Sequence, residues 1–271
     1  MKVRRLYLAA VMAAVASLVG VAAFAAGTVV VTPSNQQGWT GTPPGADTRP
    51  GGTVGFVTDA SAPGDGALQL TTDNTTTAKA QYMHATNTAI GDITALGYWT
   101  KQNSASFSGG DPSYQLVMCL NGIDPNTGAC LGFTTLVYEP YQNGGVTPGA
   151  WQQWDVDAGM FWSSRTVSCP NGGTTAGGGG APFYTLSNLA AMCPNAVATG
   201  FGVNIGSNNP GYNVEADLVT FNDTTYDFEV YSAPSDKEQC KNGGWATFSP
   251  NRPAGAFKNQ GDCIQYFNTG K

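Results

Sequence analysis

The chain has 271 residues, of which 41% are hydrophobic and only 11% are charged, and its formal net charge is −6. In an average globular protein roughly a quarter of the residues are charged, so the solubility of this chain depends on uncharged polar side chains and glycine. The acidic surplus argues against nucleic acid and an anionic membrane surface as partners, because binding to either depends on basic contacts.

The N-terminal segment has the layout of an export signal. Three basic residues among the first five precede an alanine-rich apolar run that ends in an A-x-A arrangement at 23–25, which is typical of a signal peptide. We expect residues 1–25 to be removed, which would change the net charge from −6 to −9 because three basic residues are lost. A retained anchor is the alternative, since the run is nearly long enough to span a bilayer. The arginine pair leaves twin-arginine export open beside general secretion.

Short β-prone runs separated by turn residues dominate the next two hundred positions, a pattern typical of a β-sandwich or barrel. Tyr114, Leu116 and Met118 occupy alternate positions, which predicts a strand with one apolar face. The pair Asn222-Asp223 predicts a tight hairpin. The predicted strands are 28–32, 53–57, 67–72, 77–83, 92–100, 113–120, 131–139, 151–157, 197–206, 212–221 and 224–231. They favour an all-β, antiparallel sandwich.

One segment has helical rather than β periodicity. Leu186, Leu189, Ala190 and Cys193 recur at helical spacing before a proline, which predicts a short helix over 186–193. The glycine-rich stretch that precedes it is typical of a flexible loop. A phosphate-binding loop would need a lysine that is absent there.

Six cysteines remain after the predicted signal, an even number that indicates disulfides in an exported protein. They fall into three local couples, each of which brackets a turn or a glycine-rich excursion. Zinc is a poor alternative because there is no C-x-x-C motif and a single histidine, His84. The predicted pairs are Cys119–Cys130, Cys169–Cys193 and Cys240–Cys263.

The chain divides into a signal at 1–25, a sandwich at 26–233 and a disulfide-clasped extension at 234–271. In the extension we expect Trp245 and Phe257 to pack against each other or against the sandwich, since small exported modules commonly depend on such disulfides. A cell-surface attachment tag is the functional alternative for this segment.

Two motifs carry a resemblance to known proteins. The run ADLVTFN at 216–222, followed by TYDFE at 225–229, resembles the closing strands of jelly-roll domains of the lectin-like and carbohydrate-binding-module type. The CKNGGW and FKNQGDC motifs at 240–245 and 257–263 are similar to a C-terminal clasp of many uncharacterised secreted bacterial proteins. The first resemblance covers 28–232 as a strand pattern only and implies a jelly-roll-like sandwich that binds carbohydrate. It also implies that Asp217 holds a structural calcium ion, which the residue spacing does not show.

Catalytic chemistry has little support in the sequence. A serine or cysteine nucleophile needs a histidine base, and the only histidine is His84. A glycosidase that uses a pair of carboxylates remains open. The carboxylates that could form the pair are Glu139, Asp155, Asp157, Glu215, Asp217, Asp227 and Glu229. We predict no catalytic residue, and solvated strand carboxylates are the simpler interpretation.

The run 151–157 predicts a ligand-binding face. Alternation places Trp154 and Val156 on one side, so that Trp151, Gln153 and Asp155 share the other. An aromatic ring beside amide and carboxylate groups suits a sugar, whose apolar face stacks on the ring while its hydroxyls form hydrogen bonds.

Two further residues are candidates for the same kind of surface. Asn204 lies between glycines that let a ligand approach the backbone, and Tyr141 follows a predicted strand. We therefore expect a secreted or cell-surface, non-catalytic protein that binds polysaccharide or cell-wall glycan, with no cofactor apart from the implied calcium. A structural surface or matrix protein is the alternative, and a glycoside hydrolase or polysaccharide lyase is the third hypothesis.

Overall fold

The structure is a computed structural model that describes residues 27–64, 66–248, 250 and 255–270; the predicted export signal lies outside them. The described strands are β1 (Gly27–Val31), β2 (Trp39–Thr40), β3 (Gly52–Thr58), β4 (Gly66–Thr72), β5 (Ala80–Ala89), β6 (Leu96–Ser104), β7 (Ser113–Cys119), β8 (Phe133–Tyr138), β9 (Gln152–Asp155), β10 (Phe161–Ser163), β11 (Val167–Ser168), β12 (Thr174–Thr175), β13 (Val197–Ile205), β14 (Asn213–Phe221) and β15 (Thr224–Phe228). The α-helices are α1 (Pro140–Asn143), α2 (Leu186–Met192) and α3 (Gln260–Thr269).

The strands build a sandwich of two large sheets. The six-stranded sheet has the order β10-β8-β7-β13-β5-β2, with every pair antiparallel. In the seven-stranded sheet, β9 and β6 lie on one side of β14, and β4 with β3 and β15 with β1 lie on the other. The antiparallel all-β sandwich predicted from the sequence is confirmed, and β1 differs from the prediction in pairing parallel to β15.

The central strand β14 changes partners half-way along its length. Residues 213–216 pair with β4, and residues 219–221 pair with β15. Between them Leu218 has a φ of +46° and the register against β6 shifts, which is a β-bulge. At the bulge the side chain of Asp217 accepts a hydrogen bond of 2.9 Å from the Phe228 backbone N–H. The carboxylate thus satisfies a buried donor that the interrupted ladder leaves without a backbone acceptor.

Aromatic residues fill much of the core between the sheets. Tyr98 and Tyr114 are fully buried, with ring centroids 5.5 Å apart. Their hydroxyls donate to the carbonyl oxygens of Pro112 and Thr220, so the core buries these rings without leaving the hydroxyls unpaired.

Local predictions outside the main strands can also be compared with the structure. The predicted helix is confirmed as α2, which begins at the capping residue Thr185, whose hydroxyl accepts from the Asn188 N–H. The hairpin at Asn222-Asp223 is confirmed by the pairing of Phe221 with Thr224. The short strands β2, β10, β11 and β12 and the helices α1 and α3 were not predicted. Within the described ranges, no helix combines the length and apolar character needed to cross a membrane.

The three predicted disulfide pairs are all confirmed, and the described residues contain no free cysteine. The third bond joins the turn at Cys240 to α3 at Cys263. Both sulfur-bearing residues are fully buried with Phe257 in a small apolar cluster of their own, against which Trp245 packs. The C-terminal segment is therefore organised around its disulfide and a few rings rather than around the main core.

Candidate functional site

The outer face of the six-stranded sheet has a polar floor. Asn204 on β13 lies opposite Gln81 on β5 and Ser113 on β7, so the three side chains share one face. Gln115 is two residues from Ser113 and points to the same side. The loop between β2 and β3 covers one end of this floor, where the Asp47 N–H donates to Gln81 Oε1 at 2.8 Å. Amide groups are consequently held below the surface, where water competes less for their hydrogen bonds.

A cleft of about 250 Å³ lies over part of this floor, where Gln115 and Asn204 line it. Trp162 on β10 lies at one wall, opposite Val137 on β8, and the basic residues Arg49 and Lys79 line the other end. Both cations contact Asp47, at 2.6 and 3.1 Å. We use "the cleft" for the space lined by Lys79, Gln115, Glu139, Trp162, Asn204 and Asn209.

The cleft adjoins a smaller space at the end of the sheet, which we call the end cavity. It measures about 120 Å³ and shares Glu139, Asn204 and Asn209 with the cleft. Its other lining residues include Phe107, Asp111, Tyr141 and Tyr212. Phe107 and Tyr141 are in edge-to-face contact, with ring centroids 5.4 Å apart. Aromatic rings and carboxylates therefore lie around one small volume that adjoins the cleft.

Both carboxyl groups of the end cavity have raised pKa values. Burial raises the pKa of Glu139 to about 7, although the Trp162 indole N–H donates a hydrogen bond to it and acts in the opposite direction. Burial also raises the pKa of Asp111 to about 7, against the effect of a hydrogen bond from the Thr100 hydroxyl. Neither carboxylate forms an ion pair within the described residues. The cavity thus holds two acids that lack a positive neighbour.

The five residues predicted to bind ligand are divided between two surfaces. Asn204 and Tyr141 both line the end cavity. Trp151, Gln153 and Asp155 instead lie at the edge strand β9 of the seven-stranded sheet and on its outer side, because Trp154 is turned into the core. The structure therefore does not bring the five residues into one site.

Trp151 is held by contacts within the protein. Its indole N–H donates to Asp59 Oδ2 at 3.0 Å, and the Lys101 ammonium lies 5.9 Å from its ring centroid. Lys101 also contacts Asp59 at 2.5 Å. These contacts, with a hydrogen bond from Ser61, hold the pKa of Asp59 well below its usual range despite the opposing effect of burial. The ring is partly buried in a small polar cluster, and no cavity described above includes it.

Several residues of the cleft, of its floor and of the end cavity are not predicted from the sequence. Trp162 lies in a strand of three residues, too short for alternation to show its direction. Asp111 lies in the loop before β7, where no periodicity exists. Gln81 and Gln115 follow an alternating pattern that could have placed them on the outer faces of β5 and β7. The sequence indicates Glu139 only as a candidate catalytic carboxylate.

The implied calcium ligand can be tested against its surroundings. Asp217 is fully buried, and its Oδ2 has no hydrogen-bond partner among the described residues. Burial raises its pKa to about 8, and the nearby charges of Asp227 and Glu229 add to this effect. A buried, unpartnered carboxylate oxygen on which two further negative charges act would favour a cation. Within the described ranges, however, no three Asp, Glu, His or Cys side chains converge as a metal-binding group.

No protein-family model matches the chain, and no curated protein is similar to it. Among solved structures, a family 11 carbohydrate-binding module from Clostridium thermocellum, in complex with a β-1,3-1,4-mixed-linked tetrasaccharide, is 10% identical. The alignment covers 71% of this chain and 91% of that one, with a TM-score of 0.38. A putative sugar-binding protein from Bacteroides thetaiotaomicron is 17% identical over 74% of this chain and 95% of that one, with a TM-score of 0.36.

An arabinose-bound α-L-arabinofuranosidase has a TM-score of 0.36 and 10% identity over 70% of this chain, which spans 24% of that enzyme. At these scores and identities, the similarities assign neither a family nor a function to the chain.

Proposed function

We propose that the chain is a secreted, non-catalytic glycan-binding protein that holds its ligand in the cleft. The observation that carries the proposal is the set of amide side chains that line an open cleft, Gln115 on β7, Asn204 on β13 and Asn209 after it, with Trp162 at the wall. Amides both donate and accept hydrogen bonds, as sugar hydroxyls do. An aromatic wall suits the apolar face of a pyranose ring. The three disulfides fit an extracellular protein, and the signal-like sequence at 1–25 supports export.

Retention on insoluble polysaccharides tests this proposal. The mature chain is incubated with a panel of neutral and charged glycans, and the bound fraction is measured for wild type, Trp162→Ala and Trp151→Ala. Loss of the Trp162 ring should weaken retention by about tenfold or more, as expected for an aromatic contact together with its buried area. Trp151→Ala removes a ring of the same kind from the opposite sheet, so it is a matched control for lost aromatic surface.

Each outcome of the panel assigns the function differently. Loss of retention in Trp162→Ala alone supports the cleft. Loss in Trp151→Ala alone would transfer the site to the surface of Trp151, Gln153 and Asp155, as the sequence predicts. A wild-type chain that is retained on no glycan would favour the structural or matrix alternative. Release of reducing sugars or unsaturated products, abolished by a carboxylate variant, would favour the enzyme.

A structural calcium ion bound through Asp217 is a separate part of the proposal. The support is its buried, unpartnered Oδ2, on which the negative charges of Asp227 and Glu229 also act, since carboxylate oxygens are ligands that calcium prefers. When bound, the ion would neutralise a buried charge at the bulge of β14. It would thus act on stability and would not need to contact the glycan.

A further inference from the structure

The side chains that reach into the end cavity present oxygen atoms rather than N–H groups. Asp111 and Asn204 are each 5% exposed, and both Oδ1 atoms lack a hydrogen-bond partner among the described residues. Glu139 adds a second carboxylate. Buried acceptors without donors cost free energy, so this arrangement indicates a ligand that brings donors into the cavity.

The orientation of Asp111 is set from behind. The indole N–H of Trp154 donates to Thr100 Oγ1 at 2.7 Å, and the Thr100 hydroxyl in turn donates to Asp111 Oδ2. Because this relay uses Oδ2, the unpartnered Oδ1 is the atom left for the cavity, which Asp111 lines.

The orientation of Asn204 is fixed in the same way. The Ser113 hydroxyl donates to the Asn204 backbone carbonyl oxygen at 3.1 Å, so Ser113 Oγ accepts from the side-chain Nδ2. The Asn204 Oδ1 therefore points away from Ser113. Asn209 follows the same rule, because its Nδ2 donates to the carbonyl oxygen of Gly206. The amide donors of both asparagines are used within the protein.

The charged and titratable groups around the cavity leave its acids without a counter-ion. The neighbouring phenols belong to Tyr98, Tyr138, Tyr141 and Tyr212. In the adjoining cleft, Arg49 and Lys79 both contact Asp47, and the pKa of Glu139 is set by burial and the Trp162 indole alone. A positive group is thus the missing element of the cavity.

We propose that the end cavity binds a protonated amino group, carried by an amino sugar of the glycan that occupies the cleft. This inference rests on the proposed function and adds the substrate class. An ammonium group has donors only, which match the oxygens of Asp111, Asn204 and Glu139. The rings of Tyr141, Tyr212 and Phe107 complete the lining with groups that attract cations.

The size of the end cavity and the net charge of the chain agree with such a ligand. A volume of about 120 Å³ holds about four water molecules at ~30 Å³ each, which is room for a charged substituent while the sugar ring stays in the cleft. The chain as a whole carries a net charge of −6, so a polysaccharide with free amino groups would be attracted at long range.

Calorimetric titration of the mature chain tests the inference with two oligosaccharides of identical backbone, a β-1,4-linked glucosamine hexamer and its fully N-acetylated form. At about pH 7 we expect the hexamer with free amines to bind about tenfold more tightly or better, as for a charged hydrogen bond. At about pH 5 protonation of Asp111 and Glu139 should remove most of this preference. Asp111→Asn and Glu139→Gln should abolish it. Asp92→Asn removes one exposed carboxylate elsewhere and should preserve it.

Other outcomes would overturn the inference in distinguishable ways. Equal affinity for the two hexamers, or binding of neutral glycans only, would leave the proposed function standing and remove the amino sugar. Competition by oligolysine at equal affinity, lost in the same variants, would assign the cavity to a peptide amine instead. If no polymer is retained, titration with monomeric glucosamine still reports on the cavity. In that titration the NMR chemical shifts of the Asn204 side-chain amide are followed. Shifts that do not change with glucosamine, or that change with calcium chloride instead, would contradict an amine site.

Discussion

The side-chain Nε2 of Gln81 donates a hydrogen bond to Gln115 Oε1 at 2.7 Å, although their strands lie on opposite sides of β13. Gly202 of β13 pairs with Gln115 and has no side chain to separate the two amides. The Asp47 N–H occupies Gln81 Oε1, so both ends of this amide are engaged. The floor of the cleft is consequently ordered before any ligand arrives, which lowers the entropic cost of binding.

Replacing Gly202 tests this arrangement. In Gly202→Ala the new Cβ would overlap the carbonyl oxygen of Tyr82 and crowd Met83, so we expect a loss of about 1–3 kcal/mol in the free energy of unfolding together with weaker glycan retention. A Cβ added at Gly55 on β3 would meet no atom within 4 Å, and Gly55→Ala should change stability by less than about 0.5 kcal/mol. Chemical denaturation measures both. Equal stability of the two variants would contradict the close packing at Gly202.

The buried acid Asp111 should make stability depend on pH. Its pKa rises from 3.8 to about 7 on folding, so between these values the folded state binds more protons than the unfolded state. The contribution to stability is therefore complete below about pH 4 and is lost as the pH rises through 7, a loss of about 2 kcal/mol or more. In Asp111→Asn this loss should vanish, because the amide keeps an acceptor for Thr100 without titrating.

The comparison is made as the difference between wild type and Asp111→Asn in urea unfolding at several pH values. Carboxylates whose pKa values are lowered, such as Asp47 and Asp59, change stability with pH in the direction opposite to Asp111. Their contribution is the same in both proteins, so it cancels in the difference. Parallel pH profiles would show that Asp111 has an ordinary pKa in the folded state.

The fold could be predicted from local patterns because its strands alternate and its turns carry typical residues. The hairpin at Asn222 and the helix capped by Thr185 depend on neighbours in sequence, and both predictions are confirmed. The disulfides follow the same rule, since each joins cysteines that are close along the chain.

The site could not be predicted in the same way, because its residues come from distant strands. Alternation correctly placed Trp154 and Val156 on one side, which the structure shows to be the core side, but alternation says nothing about which sheet β9 joins. The sequence therefore predicts one site for Asn204 and Trp151, although Asn204 lies on the six-stranded sheet and Trp151 precedes β9 of the seven-stranded sheet. The place of Asp111 in the site depends on its hydrogen bond with Thr100 and on a cavity formed by several loops. No sequence pattern predicts such a contact.

Calcium should stabilise the protein through Asp217. Addition of millimolar calcium to chelator-treated protein should raise Tm by several degrees, as expected for a ligand that binds only the folded state. In Asp217→Asn the amide oxygen still accepts from the Phe228 N–H, while the charge is lost, so the variant should fold without responding to calcium. A calcium-dependent shift of the same size in both proteins would contradict a site at Asp217, and magnesium at the same concentration controls for ionic strength.

The C-terminal disulfide should protect its own segment rather than the sandwich. Cys240 and Cys263 pack with Phe257 in a cluster separate from the main core, so the double variant Cys240→Ser, Cys263→Ser should lose residues beyond about 234 to limited proteolysis. The sandwich should persist as a protected fragment with its cooperative unfolding intact, since its apolar contacts are unchanged. Cys119→Ser with Cys130→Ser is the matched control, because it opens a loop between β7 and β8 and should leave the C-terminal segment protected. Mass spectrometry of the fragments measures both. Cleavage within the strands of the first variant would show that the clasp supports the whole fold.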